Sequence, residues 1–431
     1  MFFAVVLFSF DAFASPEIHG SLSNRYRLRT TGGTDDHRME TIATLDIGLP
    51  QDKLSGSLQG GGLFRLNDRG ADSNYSNVYD SFSGSAVGRL YYAYLNARDL
   101  GPLVNLRAGR QHRFEFESLY FDGVELQSDA WNGFQLTSFG GVPVHLFETQ
   151  SGLDPGDWLA GAALDWDYFA KLQCRFDYVH LRDKKTGFRI AAGDEEDDLF
   201  GGSVWIDPDE HLHLFSRFTS FADQVRDLTV QTNLTLAEQN FSVRGHFFRL
   251  LKGYAIRVID LDAYGVVGAY QPYTEFGLSA TKGLGKYVTV DGGGALRFLD
   301  DEQVASPFNH GYNRAYLSLT SADLGVKGLS LSATGDYYQG IDATLKNNSF
   351  GGSFLASQAL LKERLKVFAG TAYSLYRFNL FTGNESNDVQ TYYAGAKGEI
   401  VRHLDGKLQY ELEHNDTNDF HSVNAQLTWS F

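Results

Sequence analysis

Apolar and polar residues alternate one by one along most of the chain. In Leu329–Tyr337 the odd positions are apolar or small, while Ser330, Ser332, Thr334 and Asp336 are polar. Val288, Val290, Leu296 and Phe298 keep one phase, and Thr289, Asp291 and Arg297 the other. Near the start, Ile18, Gly20, Leu22, Tyr26 and Leu28 alternate with His19, Ser21, Arg25, Arg27 and Arg29. Near the end, Leu408, Tyr410 and Leu412 alternate with Lys407, Gln409, Glu411 and Glu413. A strand sorts this period of two onto two clean faces, whereas a helix would smear it around its circumference. Strands of soluble sandwiches run about 5–6 residues. Many runs here reach about 10 or more, the length a tilted strand needs to cross a bilayer.

The links between runs come in two kinds. Short, turn-like links are Pro50-Gln51-Asp52, Leu100-Gly101-Pro102, Asp207–Glu210, Gly283-Leu284-Gly285, Lys362-Glu363 and Leu404-Asp405-Gly406. Longer polar links are Asp68–Gly88, Lys184–Asp197, Gly253–Pro272, Asp300–Gly311 and Thr382–Asp388. Their alternation matches membrane barrels, which have short turns at one end and long loops at the other. Counting runs predicts an all-β, up-and-down antiparallel barrel of about 22 strands, between roughly 20 and 24, with both termini at the short-turn end. Phe134–Gln150 reads either as one long strand or as a hairpin at Gly140-Gly141.

Composition sharpens this picture. The 431 residues include 46 Gly and 14% aromatics, against 8 Pro, 2 Met and 1 Cys. The mean hydropathy of -0.27 is that of a water-soluble chain, and no stretch of about 18 apolar residues exists to span a bilayer as a helix. A barrel strand keeps its average low because every second side chain faces water. The net charge of -16 disfavours nucleic acid, whose phosphates need Lys and Arg. Cys174 alone excludes an internal disulfide and a multi-cysteine metal site. The apolar run Met1–Phe10 followed by Ala12-Phe13-Ala14 predicts a secretory signal peptide cleaved after Ala14, with 15–431 as one barrel domain. Asp11 interrupts the run and no basic residue precedes it, which points to a start a few residues upstream. The competing reading is a buried first strand.

The last residues, Val423-Asn424-Ala425-Gln426-Leu427-Thr428-Trp429-Ser430-Phe431, put Val423, Ala425, Leu427, Trp429 and Phe431 on one face. This resembles the C-terminal strand signature of Gram-negative outer-membrane proteins. The resemblance implies that Trp429 and Phe431 serve as the signal read by the barrel assembly machinery. Leu106-Arg107-Ala108-Gly109-Arg110-Gln111, followed by Phe121-Asp122-Gly123, is similar to a strand, loop and turn passage of porin-like substrate channels. It implies that Arg110, Gln111 and Asp122 anchor a loop folding into the pore, with direct solute binding as the alternative.

A barrel of this width is not filled by its own wall side chains, and alternation starting at Ile18 leaves no room for a plug. The expected pore-lining residues are Arg25, Arg27, Arg29, Arg107, Arg175, Asp177, Arg217, Arg244, Glu275, Asp291, Arg297, Arg314 and Asp336, with Glu40, Asp46 and Glu399 in the same phase. Two arrangements are open: opposed rows making a transverse field, or ion pairs between neighbouring strands. The function read from this is a porin for passive diffusion of ions or small hydrophilic solutes. The alternative is a structural sheath for a multihaem cytochrome. No nucleophile beside a base marks an enzyme, and no cofactor is called for. His211 and His213, near Asp207 and Asp209, share a face at metal-chelating spacing, but rim residues in water explain them as well. The acidic run Asp194–Asp198 reads as a solvated loop, with a divalent ion bridging to lipopolysaccharide as the alternative. Cys174 falls in phase with Leu172 and Phe176 and is expected to face lipid. Tyr91, Tyr92, Tyr94, Tyr376, Tyr392 and Tyr393 fit interfacial girdles or the lumen. The expected partners are outer-membrane lipid, lipopolysaccharide and the assembly machinery; the oligomeric state stays open.

Overall fold

A computed structural model describes residues 16–49, 53–67, 85–113, 119–144, 156–169, 171–182, 196–221, 224–251, 254–255, 269–301, 310–323, 325–341, 348–378, 385–416 and 418–431. The expected signal segment and the link Pro50-Gln51-Asp52 lie outside these residues.

The first strands are β1 (Glu17–Thr31), β2 (Thr34–Gly48), β3 (Leu54–Arg65), β4 (Ala86–Leu100), β5 (Leu103–Arg113), β6 (Leu119–Ser128) and β7 (Phe134–Pro143). They continue as β8 (Trp158–Phe169), β9 (Leu172–Arg182), β10 (Glu196–Ile206), β11 (Leu212–Phe221), β12 (Gln224–Leu236) and β13 (Phe241–Leu250). A two-residue hairpin follows, β14 (Tyr254–Ala255) with β15 (Ala269–Tyr270). The last nine are β16 (Tyr273–Leu284), β17 (Val288–Leu299), β18 (Tyr312–Ala322), β19 (Leu329–Gly340), β20 (Asn348–Leu360), β21 (Leu365–Phe378), β22 (Glu385–Val401), β23 (Leu404–His414) and β24 (Asp419–Ser430).

All but the small hairpin form one 22-stranded antiparallel sheet. Each strand pairs with the next, β13 reaching over the hairpin to β16. β1 pairs with β24 from Ser21↔Ser430 to Thr30↔His421. Gly20 and Phe431 exchange backbone hydrogen bonds at 3.0 Å each way. The sheet therefore closes, and no edge is left to recruit another strand. Among the described residues no helix is long and apolar enough to cross a membrane.

Closure gives the alternation its meaning. One phase carries large apolar side chains with nothing packed over them: Leu95 is 63% exposed and Leu278 62%, with Phe176, Leu317, Phe354 and Leu408 alike. This is the outer face, and exposed apolar area on that scale suits hydrocarbon rather than water. The opposite phase is mostly polar and lines the interior. Tight links such as Gly101-Pro102 and Leu361–Arg364 sit at the end that carries the termini, and the wide gaps lie at the far end.

Several expected turns are strand instead. Gly140-Gly141 lies inside β7, so Phe134–Pro143 is one strand. Asp122-Gly123 is mid-strand in β6 and makes no turn. Leu404-Asp405-Gly406 opens β23, and the turn sits at Arg402-His403, where His403 has φ 69°. Gly283-Leu284 ends β16, and the turn begins at Gly285. β10 and β22 start at Glu196 and Glu385, inside the expected loops. For the glycine-bearing turns the reason is that glycine marks close strand approach as well as turns. Gly109, Gly123 and Gly141 stand opposite one another across β5, β6 and β7. A Cβ on Gly123 would lie 2.1 Å from the Gly140 carbonyl oxygen and 2.7 Å from the Gly141 Cα.

Candidate functional site: the inner wall

Register places every expected pore-lining residue on the inner face. Most of these residues pair or hydrogen-bond with neighbours on the same or the adjacent strand. Arg29 Nη2 lies 2.7 Å from Asp36, Arg175 Nε 2.8 Å from Asp177 and Arg175 Nη1 3.2 Å from Asp165. Arg314 lies 2.8 Å from Asp336, Arg25 3.4 Å from Glu40 and Arg107 3.9 Å from Glu125. Arg244 Nε donates to Asn233 at 2.9 Å, and Asp291 accepts from the Thr281 hydroxyl at 2.6 Å. Asp46 accepts from Ser57 at 2.6 Å, Arg217 stands opposite Ser203 and Thr229, and Glu399 lies 3.7 Å from Arg364.

Two clusters are more elaborate. Glu275 Oε2 accepts from Arg297 Nε at 2.9 Å, Arg297 Nη2 at 2.7 Å and the Tyr312 hydroxyl at 2.9 Å. The Arg297 guanidinium lies 4.2 Å from the Tyr273 ring and 4.9 Å from that of Tyr312, a cation held between two π-faces. On the first strands, Arg27, Arg38 and Arg65 stand side by side in register. Asp36, fully buried, accepts from Arg29 and, at 3.1 Å, from Arg38 Nε.

Part of the inner face is dry. Leu119, Phe121, Phe139, Leu159, Val179, Leu181 and Leu199 form a buried apolar cluster on the inner side of β6–β10. Arg113, also buried, lays its guanidinium 4.3 Å from the Phe139 ring and reaches Glu125 at 2.6 Å. Seven covered apolar side chains do not face open water, so this part of the inner wall is covered rather than bare.

The proposed loop anchors divide between the two faces. Gln111, 1% exposed, is inward and donates to the Gly123 carbonyl at 3.3 Å. Arg110 and Asp122 are outward and joined by two hydrogen bonds of 2.8 Å. A one-residue step along a strand changes face, so these neighbours cannot act on one loop together from inside the barrel.

The end with the termini holds a group that phase alone did not single out. Lys366, Lys397 and Lys407 are direct register partners across β21, β22 and β23, all inward. They border a cavity of about 680 Å³ with Lys362 and Arg364, against Glu363, Glu399 and Asp405. Like charges directly opposite in a sheet repel, and among the described residues none of the three lysines has a carboxylate within salt-bridge reach. Their polar phase was legible; that they stand in one row was not, because register is a property of three strands.

Other expected residues fall as follows. Cys174 is outward beside Leu172 and Phe176. His213 Nδ1 lies 2.7 Å from Asp207, and His211 Nδ1 3.1 Å from the Thr235 carbonyl oxygen. Among the described residues no three metal-ligating side chains come together. Asp209 caps the β10–β11 turn, accepting from the His211 and Leu212 amides, which holds its carboxyl below the usual range. Of the acidic run, Asp198 accepts from the Tyr178 hydroxyl at 2.7 Å and lies 2.9 Å from His180 Nδ1, on the outer face; the other side chains lie outside the described residues. Tyr92, Tyr94 and Tyr393 face inward, Tyr392 outward, and Tyr91 is the extra residue of a bulge opposite Gln59 and Gly60. The Tyr376 side chain lies outside the described residues. Trp429 and Phe431 are outward, with ring centroids 4.8 Å apart.

No protein-family model matches the chain. No curated protein matches it in sequence. Among solved structures, the fold is similar to the translocation pore of the P pilus usher PapC, with TM-score 0.54 and 10% identity over 96% of this chain and 99% of that one. A BenF-like porin from Pseudomonas fluorescens Pf-5 aligns with TM-score 0.48 and 12% identity over 97% and 99%. OccAB4 of Acinetobacter baumannii aligns with TM-score 0.45 and 11% identity over 97% and 98%.

Proposed function

We propose that the chain forms a water-filled channel in the outer membrane of a Gram-negative bacterium and passes ions or small hydrophilic solutes by passive diffusion. One observation carries the reading. A closed 22-stranded sheet presents apolar side chains outward and a charged, hydrogen-bonding wall inward. Barrels narrower than this, of about 16–18 strands, already leave an aqueous channel. Transport down a gradient needs a wall and a constriction but no reacting centre, so the proposed role is not catalytic. The buried apolar cluster and the Arg113–Glu125 pair occupy one side, and the remaining wall offers charge of both signs to solutes.

In this setting the short turns face the periplasm, the far end faces outward, and lipid and lipopolysaccharide surround the wall. Trp429 and Phe431 present the aromatic pair that the assembly machinery would read. No feature of the described residues favours a cytochrome sheath over an open channel. The test is ion conductance of the purified barrel in a planar bilayer. Stable, stepwise currents support the reading. A folded, inserted barrel that passes no current refutes it.

A further inference from the structure

In a wet interior, a tryptophan is the residue least at home, because its large apolar ring gains nothing from water. Trp205 on β10 and Phe215 on β11 are nevertheless inward and direct register partners. Their ring centroids are 5.3 Å apart, with planes inclined by 38°. Both are only partly buried, so part of each ring is open to the interior. They form the floor of a cavity of about 540 Å³ whose rim holds Asp177, Asp207, His213, Arg217, Gln231 and Asn233. That volume lies within the range of small-molecule sites, about 300–1,000 Å³. Trp205 is one residue from the end of β10, which puts the cavity just inside the end carrying the termini.

The rim decides what would bind. Asp177 is met by Arg175 at 2.8 Å and Asp207 by His213 at 2.7 Å, so both carboxylates are already matched. Asn233 Oδ1 accepts from Arg244, which leaves its amide hydrogens to donate. Gln231 makes no side-chain hydrogen bond among the described residues and presents both a donor and an acceptor. The site therefore offers an aromatic floor under a nearly charge-balanced rim of alternating donors and acceptors. The lysine-lined cavity near β22 is its opposite, with five cations against three carboxylates and no aromatic floor. An anion would favour the lysines, and a wholly apolar solute would leave this rim unsatisfied. A pyranose satisfies both parts: its C–H face lies on the electron-rich ring faces, and its hydroxyls both donate and accept.

We propose that Trp205 and Phe215 form a sugar-binding subsite on the inner wall, with Gln231 and Asn233 as the hydroxyl-reading groups. The inference rests on the channel reading and names a solute class for it.

The test uses the full-length barrel in planar bilayers, with ionic current recorded while glucose, maltose and maltohexaose are added. Sodium benzoate serves as an aromatic-acid control. The expected result is a saturable fall in current that strengthens with oligomer length, and that Trp205→Ala weakens by about tenfold or more. Phe215→Leu should weaken it less. Because Trp205→Ala removes a large side chain, Trp205→Phe is run beside it; it keeps an aromatic floor and should retain part of the block. Currents indifferent to all three sugars would overturn the subsite and leave the channel standing. Block that survives Trp205→Ala would place the sugar elsewhere and overturn it too. Block by benzoate but not by sugar would also overturn it. If the barrel conducts no ions, the channel reading fails. The subsite is then decided by tryptophan fluorescence of the detergent-folded protein titrated with maltohexaose. A change lost in Trp205→Phe sustains it, and no change overturns it.

Discussion

Replacing Asp36 tests the energetic logic of the inner wall most severely. Asp36 is fully buried, and its carboxylate accepts from Arg29 Nε at 3.1 Å, Arg29 Nη2 at 2.7 Å and Arg38 Nε at 3.1 Å. Charge-assisted hydrogen bonds are worth about 1.5–3 kcal/mol each, so the gross interaction is large. The net effect of Asp36→Ala is set by what the stranded guanidinium groups can do. The Arg29 side chain is 23% exposed and can turn toward water, whereas that of Arg38 is 6% exposed and cannot. Arg27 and Arg65 flank Arg38 in register, so the released charge meets two more cations. Breaking one partner of such a buried pair costs about 3–5 kcal/mol, and that is the expected loss. Glu40→Ala is the comparison. Its pair with Arg25 is 3.4 Å long between side chains 32% and 54% exposed, which predicts about 0–1 kcal/mol. The assay is reversible urea unfolding of both variants in lipid vesicles, followed by tryptophan fluorescence. Asp36→Asn, which keeps an acceptor oxygen without the charge, should fall between Asp36→Ala and wild type. Asp36→Ala combined with Arg38→Met should recover most of the loss, because the trapped cation goes too. If Asp36→Ala costs no more than Glu40→Ala, burial is not what gives this carboxylate its weight, and the reasoning fails.

Four further outcomes are expected. Changing Lys366, Lys397 and Lys407 together to Ala should move the reversal potential in a salt gradient toward cation selectivity, and should raise stability by about 0.2–1 kcal/mol per like-charged contact removed; an unchanged potential would show that ions bypass this row. Gly123→Ala would set its Cβ 2.1 Å from a backbone oxygen, while Gly88→Ala meets nothing within 4 Å, so only the first should lose the heat-modifiable band of a closed barrel on gels. Cys174, outward beside Phe176, should react with a lipophilic maleimide in vesicles but not with a charged thiosulfonate. Asp209, whose carboxyl is held low by two backbone amides, stabilises its turn above the unfolded carboxylate value of about 3.9; the protection of the His211 and Leu212 amides, measured relative to their intrinsic exchange rates, should be lost only as the pH falls through its lowered folded value, and protection that does not change with pH would contradict that capping.

How much of this was legible in one dimension depends on the range of the interaction. Strand faces are local: a side chain's phase is set by its neighbours two residues away, so Leu408 and Lys407 could be assigned to opposite faces before any pairing was known. The strand count followed because a bilayer demands long strands and each must be linked to the next. Glycines were less legible. A Gly that opens a turn and a Gly that admits a neighbouring backbone look alike in sequence, and so Gly123 and Gly140 read as turns while lying inside strands. Alternation along the chain sufficed for many membrane-length strands with one apolar and one charged face. Pairing between strands was needed for who meets whom: that Asp36 is shared by two arginines, that three lysines stand in one row, that Arg110 and Gln111 part company, and that Trp205 lies beside Phe215. Phase is fixed by the pleat of one strand. These meetings depend on register between strands, and a slip of two residues would keep every face and change every partner.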